Sequence, residues 1–93
     1  MHTIVHMEIE FDSIKAISNR QKHGVDFNEA KTCLLDTMAL VREDEDSQGE
    51  QRFVLLGMSD LGRLLVVVYT LRGENIRLIS ARKATRKEAK NYA

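Results

Sequence analysis

Hydrophobic and polar positions change their period three times along this chain. Met7-Glu8-Ile9-Glu10-Phe11 alternates apolar and polar residues as a strand does. Met7 can serve as an alternative start, which leaves Met1–His6 as a short leader predicted to be disordered, His2 and His6 with it. The period then becomes helical. Asp12 is placed to cap a helix over Ser13–His23, with Ile14 and Ile17 marking its buried side and Gly24 stopping it. Asp26-Phe27-Asn28-Glu29 reads as a capping box. It opens a second helix that ends near Asp36 and turns Phe27, Ala30 and Leu34 inward.

From Met38 the period drops to two. Strands are predicted over Met38–Glu43, Glu50–Met58, Arg63–Leu71 and Ile76–Arg82. The polar segment Asp44–Gly49 and the turns Ser59–Gly62 and Arg72–Asn75 separate them. Such short connections imply an antiparallel meander. Arg63–Leu71 is apolar on both faces, as a central strand should be. Thr85-Arg86-Lys87-Glu88 is a second capping box, for a helix running to about Tyr92. The predicted order is β-α-α-β-β-β-β-α, an α+β fold with a sheet of four to five strands.

Composition narrows this to one soluble domain spanning residues 1–93. Apolar residues make up 43% of the chain and charged residues 30%, which is too apolar for a disordered polymer. Cys33 is the sole cysteine, so neither an intramolecular disulfide nor a cysteine zinc site is expected. No apolar run reaches the roughly 18 residues of a membrane span. These features lead to the expectation of a cytoplasmic protein without a membrane partner.

Charge alters the picture because it is unevenly placed. Net charge is zero, yet residues 1–62 carry six Lys/Arg against twelve Asp/Glu, and residues 63–93 carry eight against two. An acidic half and a basic half suggest separate surfaces, the basic one suited to a polyanion. The same charges also fit an ordinary solvated helix at the end of the chain.

The candidate chemistry lies in three places. If Gly73 and Glu74 are the loop of the last hairpin, Thr70 faces Arg77, Val68 faces Ile79 and Val66 faces Ala81. Arg72, Arg77 and Lys83 then project from one side of the sheet, and Ser80 and Arg82 from the other. Arginine suits phosphate because its planar fork donates two parallel hydrogen bonds; it is equally common as an exposed structural residue. The second place is Lys22-His23-Gly24. A helix C-terminus favours a cation, and histidine is the side chain that ordinarily exchanges protons near neutrality, although a lone histidine often serves only as a cap. The third is Glu50-Gln51-Arg52, where Glu50 and Arg52 share a strand face as a base and a phosphate clamp, or as a plain surface ion pair. His2, His6 and His23 lack metal-ligand spacing, Glu43–Asp46 lacks the rest of a calcium loop, and no phosphate-binding glycine loop is present. Phe and Tyr total five, too few for an aromatic nucleic-acid platform. Cys33, beside Leu34 and Leu35, reads as core. No metal and no cofactor are expected.

These residues also carry a resemblance. Phe11-Asp12, Lys15, Asn19, Lys22-His23-Gly24-Val25, Phe27, Glu29 and Ala30 form one signature. Glu50, Arg52 and Gly57 follow, and then Ile76-Arg77-Leu78-Ile79-Ser80-Ala81-Arg82-Lys83-Ala84-Thr85, Glu88 and Tyr92. Over roughly residues 8 to 92 the chain resembles the BrnT family of type II toxin–antitoxin ribonucleases. Many members have a tryptophan between the Phe and the Asp near the start, whereas here Phe11 directly precedes Asp12. The resemblance implies a RelE-like fold and RNA cleavage that blocks translation. It also implies a BrnA-like ribbon-helix-helix antitoxin, bound as a heterotetramer that reaches operator DNA only through the antitoxin. On this reading His23 transfers protons, with Glu50 as the alternative base. Arg77, Arg82 and Lys83 hold the scissile phosphate, Lys22 and Arg52 position phosphate, and Ser80 belongs to the RNA-binding set. The alternative is a non-catalytic nucleic-acid- or protein-binding module.

Overall fold

The computed structural model describes residues 8–92; the leader with His2 and His6 lies outside them. The elements are β1 (Ile9–Glu10), α1 (Ser13–His23), α2 (Phe27–Cys33), β2 (Leu40–Glu43), β3 (Arg52–Met58), β4 (Leu64–Arg72), β5 (Asn75–Lys83) and α3 (Arg86–Ala89). The order matches the sequence pattern. The sheet corrects it in one respect. β2 to β5 are antiparallel neighbours, but β1 lies beside β5 and runs parallel to it, in the order β1-β5-β4-β3-β2. The sheet is therefore mixed and not a pure antiparallel meander. Periodicity reports which residues alternate, not which distant strand they pair with.

Each helix begins where its cap dictates. The Asp12 carboxylate accepts from the Ile14 and Lys15 amides, and Gly24 closes α1 with φ 69°. Asp26 caps α2 through the Asn28 amide. The reciprocal half of that capping box does not form, because Glu29 turns away to Ser59 and Arg63. At α3 both halves of the box are present between Thr85 and Glu88.

α1 and α2 cover one face of the sheet. Between them lies the core: Val25, Phe27, Ala30, Cys33 and Leu34 pack against Leu55, Leu65, Val67, Ile76, Leu78 and Ala81. The expectation for α1 fails, since Ile14 is 75% and Ile17 60% exposed. Its buried residue is Asn19, with Ala16 packed beside it. The amide of Asn19 bonds the backbone N–H and C=O of Ala81 at 3.0 and 2.8 Å and the carbonyl of Val25 at 3.0 Å. Burying Ile14 and Ile17 instead would swing this amide into solvent and leave the β5 backbone unpaired.

Candidate active site on the last strand

The decisive local feature is a β-bulge in β5. Up to Tyr69↔Leu78 the hairpin pairs as the sequence suggests, with Thr70 opposite Arg77. The register then shifts, so Val68 faces Ser80 and Val66 faces Arg82. Ile79 is the extra residue. The shift corrects the expected face assignment. Arg72, Arg77, Ser80 and Arg82 share the face away from α1 and α2. Lys83, opposite the buried Leu65, belongs to the helix-covered face, where its charge reaches Glu29. Strict alternation would have grouped Lys83 with Arg77 and separated Arg82 from it.

On the open face β3 contributes Arg52, Val54 and Leu56, and β4 contributes Val66, Val68 and Thr70. The result is an aliphatic floor rimmed by arginines. Their states differ. Arg82 is fully engaged: Nη1 and Nη2 donate to the two carboxylate oxygens of Glu88 at 2.7 and 2.8 Å. This pair and the Thr85 amide push the Glu88 carboxyl down to about 2. Arg77 is held loosely, with Nη1 3.6 Å from Glu10. Arg52 has a buried Nε–H with no acceptor among the described residues. Glu50 lies exposed just before β3, 3.9 Å from Arg72.

Around the outer edge of β5, one side of α1 from Lys15 to His23 faces the bulge. Lys15, Ser18, Asn19, Lys22 and His23 line an open cleft of about 210 Å³ together with Ile79 and Ser80. His23 is half-buried and Lys22 exposed. His23, Lys22 and Ser80 thus meet in one cleft. Ser80 also stands on the open face with Arg77 and Arg82, so it joins the two halves. Glu50, Arg52, Arg77, Arg82 and Lys83 do not line the cleft. Sequence reasoning assigned no role to Lys15, Ser18 or Asn19. Their helical spacing from Lys22 and His23 was the available signal. It also missed Glu88 as the partner of Arg82, which the six-residue separation across a turn conceals.

Among the described residues no three His, Cys, Asp or Glu side chains converge to hold a metal, and no helix is long and apolar enough to cross a membrane. The Cys33 thiol is fully buried and is pushed up to about 12 by that burial and by the carboxylates of Glu29, Asp36 and Asp60.

The sequence profile of a family described as the ribonuclease toxin, BrnT, of type II toxin-antitoxin systems matches residues 11–88. None of the curated proteins matches the chain. The crystal structure of the Brucella abortus ribonuclease toxin BrnT superposes with a TM-score of 0.67 at 25% identity, covering 86% of this chain and 99% of that one. That likeness extends to the α+β arrangement of sheet and helices.

Proposed function

The chain belongs to the BrnT family of ribonuclease toxins of type II toxin–antitoxin systems, and from that premise we propose that it is a metal-independent endoribonuclease working at the β5 bulge. The single observation that carries the proposal is the bulge itself. It gathers Arg77, Ser80 and Arg82 on one face and sets Ile79 and Ser80 in the cleft beside His23.

In the proposed reaction the RNA 2′-oxygen attacks the adjacent phosphorus. A bond from O2′ to phosphorus forms and the bond to O5′ breaks. His23 transfers the proton that the 2′-hydroxyl gives up, and the departing 5′-oxygen gains one. The products are a 2′,3′-cyclic phosphate and a 5′-hydroxyl. Proton transfer by a positioned side chain contributes typically about 10²–10⁴-fold. Glu50 is the alternative base, but it is exposed and lies beside Arg72. Arg77, and Arg82 once its guanidinium exchanges Glu88 for phosphate, hold the scissile phosphate and oppose the charge that develops on it, an electrostatic contribution that is often the largest. Lys22, Arg52 and Ser80 seat the flanking backbone. Lys83 acts on RNA only at a distance, from the other face.

The chain's partners in this proposal are RNA and a BrnA-like ribbon-helix-helix antitoxin, in a heterotetramer that meets operator DNA through the antitoxin. The fold is then RelE-like, and the setting is the cytoplasm. One observation favours a second reading, a non-catalytic binding module: the fork of Arg82 is already filled by Glu88. Purified protein incubated with RNA in EDTA, with and without ribosomes, separates the two. Cleavage supports the toxin, whereas retardation of intact RNA on a gel supports the binding module.

A further inference from the structure

The two edges of the sheet are treated differently. At one edge β1 pairs with β5 over two residues, and farther along the amide of Asn19 saturates the backbone of Ala81. At the other edge no further strand pairs with β2 among the described residues. All four of its residues are exposed, Leu40 and Val41 among them, and exposed Leu35 and Met38 precede it. The Asp44 amide donates to the carbonyl of Arg52. By antiparallel alternation, Leu40 and Arg42 bond inward, while the N–H and C=O groups of Val41 and Glu43 point out of the sheet. β2 has no proline and no lysine, and its charged residues Arg42 and Glu43 sit at its C-terminal end.

An acidic run continues directly from this edge. Glu43, Asp44, Glu45 and Asp46 follow one another, and among the described residues none forms an ion pair. The strip therefore offers outward backbone hydrogen bonds, apolar side chains and then a block of negative charge. Resting on the toxin–antitoxin reading above, we infer that the antitoxin docks here, adding an extended segment to β2 whose apolar residues lie along Leu40 and Val41 and whose Lys/Arg residues lie along Glu43–Asp46. Strand addition draws its affinity from main-chain bonds and its selectivity from side chains on either face. Charge opposite the acidic run steers the encounter and sets the register. This partner contact uses the acidic half of the chain and is separate from the cations of β5.

The test uses the full chain and the ribbon-helix-helix antitoxin encoded beside it, by titration calorimetry. Val41→Pro removes one outward N–H without breaking the pairing with β3, and should weaken antitoxin binding about tenfold or more. The double variant Glu45→Lys/Asp46→Lys should weaken it about three- to tenfold at low salt and approach the parent at high salt. RNA cleavage by each free variant should match the parent. Hydrogen exchange gives a readout independent of any variant: the Val41 and Glu43 amides of the parent should become protected when antitoxin is added. Unchanged affinity in the variants, or no new protection at β2, overturns the inference while leaving the ribonuclease reading intact. Concentration-dependent self-association of the free chain that Val41→Pro abolishes, with antitoxin affinity unchanged, assigns the edge to a second copy and also overturns it. A parent chain that binds no antitoxin overturns the partner reading and this inference together.

Discussion

Ile79 is the residue on which the open face turns. As the extra residue of the bulge it switches the parity of β5, so that Arg77 and Arg82 share a face and Lys83 does not. Alternation in the sequence pointed to the opposite grouping, because a bulge depends on the partner strand and leaves no local mark. The consequence is measurable. Arg77→Ala should lower RNA cleavage by about 10–10²-fold through lost charge stabilisation, whereas Lys83→Ala should change it little. Equal losses in the two variants would contradict the face assignment. Cys33 was legible from the start as core, since its neighbours are apolar. Its buried thiol, pushed up to about 12, should resist alkylation in the folded protein and react only in denaturant, which mass spectrometry of the labelled chain would show.

Element boundaries and order were largely legible, because caps and turns are local signals: Asp12, Gly24, Asp26 and Thr85 each stand where a helix begins or ends. The buried face of α1 was not. Hydrophobicity nominated Ile14 and Ile17, but the hydrogen bonds from Asn19 to Ala81 decide the orientation of the helix. Asn19→Ala should cost about 1–3 kcal/mol for each backbone group it orphans. It should also depress cleavage, because the same clamp holds His23 beside the bulge; a melting curve and an RNA assay together check both. α3 is tethered by two carboxylates. Glu88 receives Arg82 and the Thr85 amide, and Asp36 accepts from the Met58 amide and then from the Tyr92 hydroxyl. Both carboxyls titrate below their ordinary values, Glu88 at about 2 instead of 4.5. Their stabilisation is therefore complete above about pH 4.5, where folded and unfolded chains are both ionised. It is lost as pH falls towards 2, where the unfolded chain protonates first. The melting temperature should fall over that window, and Glu88→Gln should flatten the fall. A pH profile identical to the parent's would show that Glu88 does not anchor α3.

At the scale of the whole molecule, the charge asymmetry is only partly spatial, since Arg77 and Arg82 lie on one face of the sheet and Lys83 on the other. The basic half is presented on β4, β5 and α3, and the acidic run extends from the exposed edge of β2. The position of β1 beside β5 was beyond the reach of periodicity, since it is a contact between residues 67 positions apart, Ile9 and Ile76. The candidate site is composite for a related reason. His23 and Lys22 come from α1 and Ser80 from β5, and they meet only where α1 packs along the sheet edge. The ribonuclease reading is tested most directly by incubating purified protein with a defined RNA in EDTA and analysing the new ends, for the parent and for His23→Ala. The parent should leave 2′,3′-cyclic phosphate and 5′-hydroxyl ends, and the variant should melt at the parent's temperature but cleave about 10²–10⁴-fold more slowly. Intact RNA with the parent, or an unchanged rate with His23→Ala, would contradict it.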